Sequence, residues 1–258
     1  MEERIIRTVT EIGNGAHIFA PKEWLYDEVV ITRVPKKNPK EELIKLLSPY
    51  LNKIIAVFLY GSYARGEQTP KSDMDIFVIS TEKFNIKSKD IEIMVVPEEK
   101  LETAKKINPI LFYSILQEAK PIINPPYLEK LRKEEIKPAY FNDFLDDTKR
   151  LIQINKEMIK LDKMDKDKDS SESTIYSLVL RLRGIFIINL FLKKKIYSNG
   201  IFRTFLIKNS KIDYEKIYNI YRSIRDNKKT EEKVKIEEAE SLLTLLIKET
   251  QKLEKKLK

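Results

Sequence analysis

The apolar positions change period along the chain, and the changes divide it. Between residues 54 and 96 they form short, near-continuous runs, Ile54–Tyr60, Ile76–Ile79 and Ile91–Val96, which predict strands of a buried sheet. Just upstream, Leu43, Ile44, Leu46 and Leu47 recur at helical spacing after the Pro/Lys segment 35–39. Helical patterns follow at 98–106 and 108–119, and Pro121, Pro125 and Pro126 then interrupt the chain. From Tyr140 onward the period is helical: 143–162 is amphipathic, 163–173 reads as a polar loop, and 174–195 predicts a long helix closed by Asn199–Gly200. Further helices are expected over 201–209, 213–226 and 231–257. The first 35 residues instead carry β-type patterns, Arg4–Ile12 and Glu28–Val34, around a Gly13-Asn14-Gly15 turn. The expectation is an α+β protein: a small β-rich unit (1–35), a central mixed-sheet domain (36–127) and a helical domain (128–258).

Composition narrows the chemistry. The 258 residues include no Cys and one His, His17, so thiolate nucleophiles, Cys-based metal sites and Ser-His-Asp hydrolysis are excluded. The absence of Cys is at home in a reducing cytoplasm, the expected location. The first residues show no signal-peptide pattern, and the apolar stretch 184–192 falls short of the roughly 20 residues of a membrane span. No membrane partner is expected.

The formal charge of +9 is unevenly spread. Residues 1–127 hold 18 basic and 18 acidic side chains, whereas 175–229 alone hold 13 basic against 3 acidic. A field of that size could attract a polyphosphate or nucleic acid, or could belong to a solvated helical surface. Arg181, Arg183, Lys193–Lys195 and Arg203 are the residues in question.

The candidate chemistry lies between the first two apolar runs. Ile54–Tyr60 leads into Gly61-Ser62, where a missing Cβ lets backbone approach a phosphate and the Ser62 hydroxyl and following N–H groups can donate to it. Asp73 and Asp75 then precede the next strand two residues apart, so both carboxylates face the same side. Such a pair repels itself unless a divalent cation lies between, and Mg²⁺ suits one or two carboxylates completed by water and phosphate oxygens. Glu92 lies within the run Ile91–Val96, where burial of a carboxylate would need a partner.

An apolar strand, Gly-Ser, a gap of about ten residues, Asp-x-Asp and a third acid on a later strand together resemble the polymerase-β-like nucleotidyltransferase superfamily, over residues 40–97. The run Gly-Ser-Tyr-Ala-Arg-Gly-Glu at 61–67 looks most like its small prokaryotic and archaeal members. The resemblance implies transfer of a nucleoside monophosphate, taken as AMP, from an NTP, taken as ATP, to an acceptor hydroxyl with release of pyrophosphate. Asp73, Asp75 and Glu92 would be the catalytic and metal-binding residues, with two Mg²⁺ ions. Gly61 and Ser62 would bind the nucleotide's phosphates, and Arg65 would contact phosphate or pair with Glu67. The third acid departs from the commoner Asp, and Asp90, two residues earlier on the same face, is the alternative to Glu92.

The flanks carry weaker likenesses. Residues 11–25 resemble small AbrB-like units, which pair as dimers and in some cases bind DNA; otherwise Phe19 and Trp24 make a simple packing core with His17 structural. The C-terminal helices resemble those following the catalytic unit in kanamycin-type nucleotidyltransferases and those of HEPN proteins. A HEPN-type ribonuclease is disfavoured because no His follows position 17. The acceptor stays open among a protein, a small molecule and RNA. The alternative function is a non-catalytic nucleotide-sensing or DNA-binding regulator on a degenerate fold.

Overall fold

A computed structural model describes residues 5, 7, 9–31, 39–69, 72–164 and 169–257. The chain divides into two compact units, 1–38 and 39–258.

In the first unit, strands β1 (Thr10–Ile12) and β2 (Gly15–His17) form an antiparallel hairpin turning at Gly13, whose φ of +52° suits a residue without a side chain. Thr10 Oγ1 and His17 Nε2 hydrogen-bond across it at 3.2 Å, and the His17 ring meets Phe19 edge-on. Of the two expected strands, Thr10–Ile12 pair and 28–31 carry no strand, while residues 4, 6, 8 and 32–34 lie outside the described residues. Nor do Phe19 and Trp24 make a core. Phe19 is 72% exposed, Trp24 is half-buried, and none of the unit's described residues is buried. A hairpin of three-residue strands offers too little apolar area to enclose a ring.

The second unit begins with α1 (Pro39–Leu47) and continues through β3 (Ile54–Tyr60), the short helix α2 (Gly61–Arg65), β4 (Met74–Ser80), β5 (Ile91–Pro97), α3 (Leu101–Ile107), α4 (Pro109–Glu118), β6 (Lys120–Ile123) and α5 (Pro125–Arg132). Its sheet has the order β5-β4-β3-β6, parallel between β4 and β5 and antiparallel elsewhere. Strand β6 is hidden in the sequence by Pro121, which lies opposite Phe58; as an edge strand, β6 tolerates the missing N–H.

Alternation along the strands sorts two layers. Val57, Ile76, Val78 and Ile91 pack with Leu43 and Leu47 of α1 on one face. Ala56, Phe58, Tyr60, Phe77 and Ile79 face the other way, against Phe112, Tyr113, Ile115 and Leu116 of α4. The same parity puts Asp75 on the α4 face with Phe77, and Glu92 with Met94 and Val96. Apolar runs buried on both faces are what a doubly covered sheet requires.

The remainder is mostly helical: α6 (Asn142–Asp162), β7 (Asp169–Ser170), α7 (Glu172–Phe191), α8 (Asn199–Asn209), α9 (Tyr214–Arg225), β8 (Val234–Lys235) and α10 (Ile236–Leu257). Helix α7 is long and apolar enough, by length and composition, to cross a bilayer. Here its flanks pack on α4, α6, α9 and α10, and Ile175, Leu178, Leu182 and Ile188 are fully buried. At Gly184 a Cβ would fall into the Phe144 ring, so α6 and α7 approach closely only because that residue is glycine. The expected domain edge at 127/128 falls within α5, inside the second unit, and α4 packs against α7 across it.

Candidate active site

The site is assembled where β3 ends and β4 begins, on the α4 face. Strand β3 stops at Tyr60 because Gly61, at φ +72°, bends the chain into α2, which Gly66 closes in the left-handed region at φ +75°. Gly61 is required twice over. Its positive φ disfavours a side chain, and a Cβ there would fall inside the Asp75 carboxyl group. The turn and Asp75 are thus packed directly against each other.

Asp75 is level with Tyr60 on β3 and with Glu92 on β5. The second pairing makes Asp75 and Glu92 lateral neighbours, on one face of parallel strands about 4.8 Å apart. Asp73 stands exposed just before β4, and Asp90 stands outside β5, where its carbonyl accepts the Met74 N–H at 3.0 Å. Glu92 is exposed rather than buried, because β5 is the sheet's free edge; the expected need for a buried partner does not apply. Among the described residues no three carboxylate or imidazole groups are gathered into a ready-made metal cage.

A fourth carboxylate, absent from the sequence reading, completes the arrangement. Glu118 at the end of α4 is 7% exposed at its side chain; Oε1 accepts the Gly61 N–H at 2.8 Å, and Oε2 accepts Nη1 of Arg65 at 2.6 Å. Only its position before β6 could have signalled it, and β6 was itself masked by Pro121. Arg65, expected either at a phosphate or paired with Glu67, is engaged by two acids, since its Nε also donates to Glu67 Oε2 at 2.9 Å. Gly61 likewise contributes room and no donor, its N–H being taken. The Ser62 hydroxyl is bonded by none of the described residues, while its carbonyl accepts the Glu67 N–H at 2.9 Å. Burial first, and then the charges of Glu92 and Glu118, push the Asp75 carboxyl up to about 6, with Arg65 opposing them.

Three arginines of the basic stretch are paired, while Lys193–Lys195 are exposed. Arg181 binds Asp147 of α6 and lies over the Phe144 ring. Arg203 pairs with Glu215 at 2.7 Å. Arg183 turns inward, donating to the hydroxyls of Tyr197 (3.0 Å) and Tyr221 (3.4 Å) and stacking on the Tyr197 ring, which Arg65 also approaches. Neither Arg181 nor Arg183 belongs to a solvated face.

A Gly-Ser turn packed on the second acid of an Asp-x-Asp, with a third acid beside it on a parallel strand, defines a class of protein. Residues 41–126 match the family model described as polymerase beta, nucleotidyltransferase, and this stretch is a polymerase-β-like nucleotidyltransferase domain. Among individual relatives, a Methanocaldococcus jannaschii protein named as a protein adenylyltransferase is 40% identical over 50 residues, 19% of this chain. The chain spans half the length of that relative. Among solved structures, the spectinomycin adenyltransferase from Enterococcus faecialis with ATP and spectinomycin aligns over 82% of this chain and 98% of its own, at 16% identity and a TM-score of 0.44. A nucleotidyltransferase-like protein from Exiguobacterium sibiricum aligns over 83% of this chain and 75% of its own, at 13% identity and a TM-score of 0.37.

Proposed function

We propose that the protein transfers AMP from ATP to a hydroxyl of a protein acceptor. The observation that carries the reading is the contact of Asp75 with Gly61: the carboxylate fills the space of the absent Cβ, with Glu92 level beside it. Hard oxygen donors on neighbouring strands, with one carboxyl already strained by like charge, fit Mg²⁺, which takes one or two carboxylates and completes its shell with water and phosphate oxygens. Asp73, Asp75 and Glu92 would hold it. When bound, the ion would neutralise charge on the triphosphate and acidify the acceptor hydroxyl.

The protein's own residues then have separable tasks. Ser62 donates its hydroxyl to a phosphate oxygen of the nucleotide, and Gly61 lets the chain approach. The acceptor oxygen attacks the α-phosphorus, the new O–P bond forms as the bond to the pyrophosphate oxygen breaks, and the acceptor's proton passes to Glu92, an exposed carboxylate on the sheet's edge strand. Beside Glu92 an open groove of about 460 Å³, lined by Asp73, Lys87, Ser88 and Lys89 among others, offers the acceptor an approach. The protein acceptor is favoured by the name of the Methanocaldococcus relative. Incubation with ATP labelled on the α-phosphate, Mg²⁺ and host-cell proteins should label a discrete protein, and Asp75→Ala should abolish it. Nucleotide binding without transfer to proteins, small hydroxyl compounds or RNA would favour the sensor instead.

A further inference from the structure

We propose that Glu118, Glu67 and Asn199 are positioning residues for this transfer, forming with Arg65 a relay by which the helical region fixes the Gly61–Arg65 turn against Asp75. The proposal rests on the assignment of that turn to nucleotidyl transfer.

The relay is a continuous series of hydrogen bonds. Glu118 ties the first and last residues of α2 together, accepting from the Gly61 N–H and from Arg65 with its two oxygens. Arg65 passes the restraint to Glu67 through Nε. Glu67 in turn accepts twice from Asn199, 132 residues away: the backbone N–H reaches Oε1 at 3.2 Å and the side-chain amide reaches Oε2 at 3.1 Å. Asn199 is itself held, its Oδ1 accepting from the hydroxyls of Tyr197 (2.9 Å) and Tyr218 (3.2 Å), and Tyr197 accepting from Arg183. The anchor is the start of α8, where Ser198 Oγ accepts the Ile201 N–H at 3.2 Å.

Two features make this a device for geometry more than for stability. Replacing a partly buried ionic network by apolar groups is often neutral or stabilising, so such a network is weak grounds for a purely structural role. Its far end, moreover, has no slack: Asp75 occupies the space a Gly61 Cβ would fill, so a shift of the turn by tenths of an ångström displaces the carboxylate. Both oxygens of Glu118 and both of Glu67 are committed, which leaves a single orientation for each.

The test compares Asn199→Asp, Glu67→Gln and the double variant Glu67→Gln/Asn199→Asp in Mg²⁺-dependent pyrophosphate release from ATP with host-cell proteins as the acceptor, and with melting temperature as a second readout. In Asn199→Asp the new carboxylate faces Glu67 while still accepting from both tyrosines; in the double variant the Gln amide donates to the Asp from the position that had accepted from Arg65, so the contact with α8 is re-formed while the link to Arg65 is lost. The relay predicts a kcat lower by about tenfold or more in Asn199→Asp, KM for ATP within about twofold, and no recovery of kcat in the double variant even where its melting temperature returns. Wild-type kcat in Asn199→Asp overturns the proposal, as does a double variant that regains kcat without the Arg65 link. Should Asn199→Asp fail to fold, Glu118→Gln carries the test, since in either orientation its amide nitrogen opposes a donor, Arg65 or the Gly61 N–H; unchanged kcat there also overturns it. If the wild type releases no pyrophosphate and matches Asp75→Ala, the assignment of the turn itself has failed and the relay falls with it.

Discussion

On the turn side of the Glu67–Asn199 contact, four carboxylates, Asp73, Asp75, Glu92 and Glu118, share one arginine, Arg65. On the other side, Arg183 is enclosed by Tyr197, Tyr218 and Tyr221 and, among the described residues, forms an ion pair with no carboxylate. One end has an excess of negative charge that like-charge repulsion makes costly, and the other has a cation satisfied only by neutral hydroxyls. The two opposite imbalances lie close together, flanking the same Tyr197 ring. The difference teaches that the charge relevant to function is local: the +9 of the whole chain predicts neither end.

The comparison can be broken most severely at Asp75. Asp75→Ala should reduce AMP transfer roughly 10³-fold or more, the loss expected when several kcal/mol of charge stabilisation disappears; transfer of the α-phosphate label measures it. The isosteric Asp75→Asn has an opposite effect on folding. The folded-state carboxyl sits at about 6, above its ordinary 3.8, so folding favours the protonated form and the carboxylate destabilises the native protein as pH rises through 6. Thermal unfolding in the presence of a chelator should therefore show Asp75→Asn gaining stability over the wild type at pH 8 and losing that gain below pH 4.

Arg183→Met tests the other end. Loss of its charge-assisted bonds to the Tyr197 and Tyr221 hydroxyls should cost about 1.5–3 kcal/mol of stability, read from denaturant unfolding; an unchanged midpoint would mean that these bonds carry no net stability. Gly184→Ala, which drives a methyl group into Phe144, should cost about 1–3 kcal/mol of stability, read from denaturant unfolding, with ATP affinity intact in the folded fraction. The smallest effect is expected for Arg181→Met. It removes a partly exposed pair with Asp147 and should cost no more than about 1 kcal/mol, leaving transfer unchanged.

What could be read in the sequence was what is local in the chain. The strands β3, β4 and β5 announce themselves because burial on both faces demands unbroken apolar runs. Asp73 and Asp75 stand out because of their two-residue spacing at the entry to an apolar run, although only Asp75 lies on β4. Glu118 carried no such mark: it is an ordinary helix-terminal glutamate until the fold sets it against Gly61, 57 residues earlier. Arg65 was legible as a cation with a nearby acid, Glu67, while its second acid was not. The N-terminal patterns misled in the opposite sense, since alternation of residue type persists where, among the described residues, only a short hairpin forms and nothing buries it.

The sequence by itself determined the strand-turn-strand unit and its acids, the absence of thiol and imidazole chemistry, and the helical character of the second half. Each follows from residue type and spacing over at most a few turns of chain. Tertiary structure alone decided which charges meet. Glu118 with Arg65, Glu67 with Asn199 and Arg183 with its tyrosines lie between 14 and 132 residues apart. Coulombic and hydrogen-bond energies depend on distance in space and on desolvation, and neither quantity exists until the chain has folded.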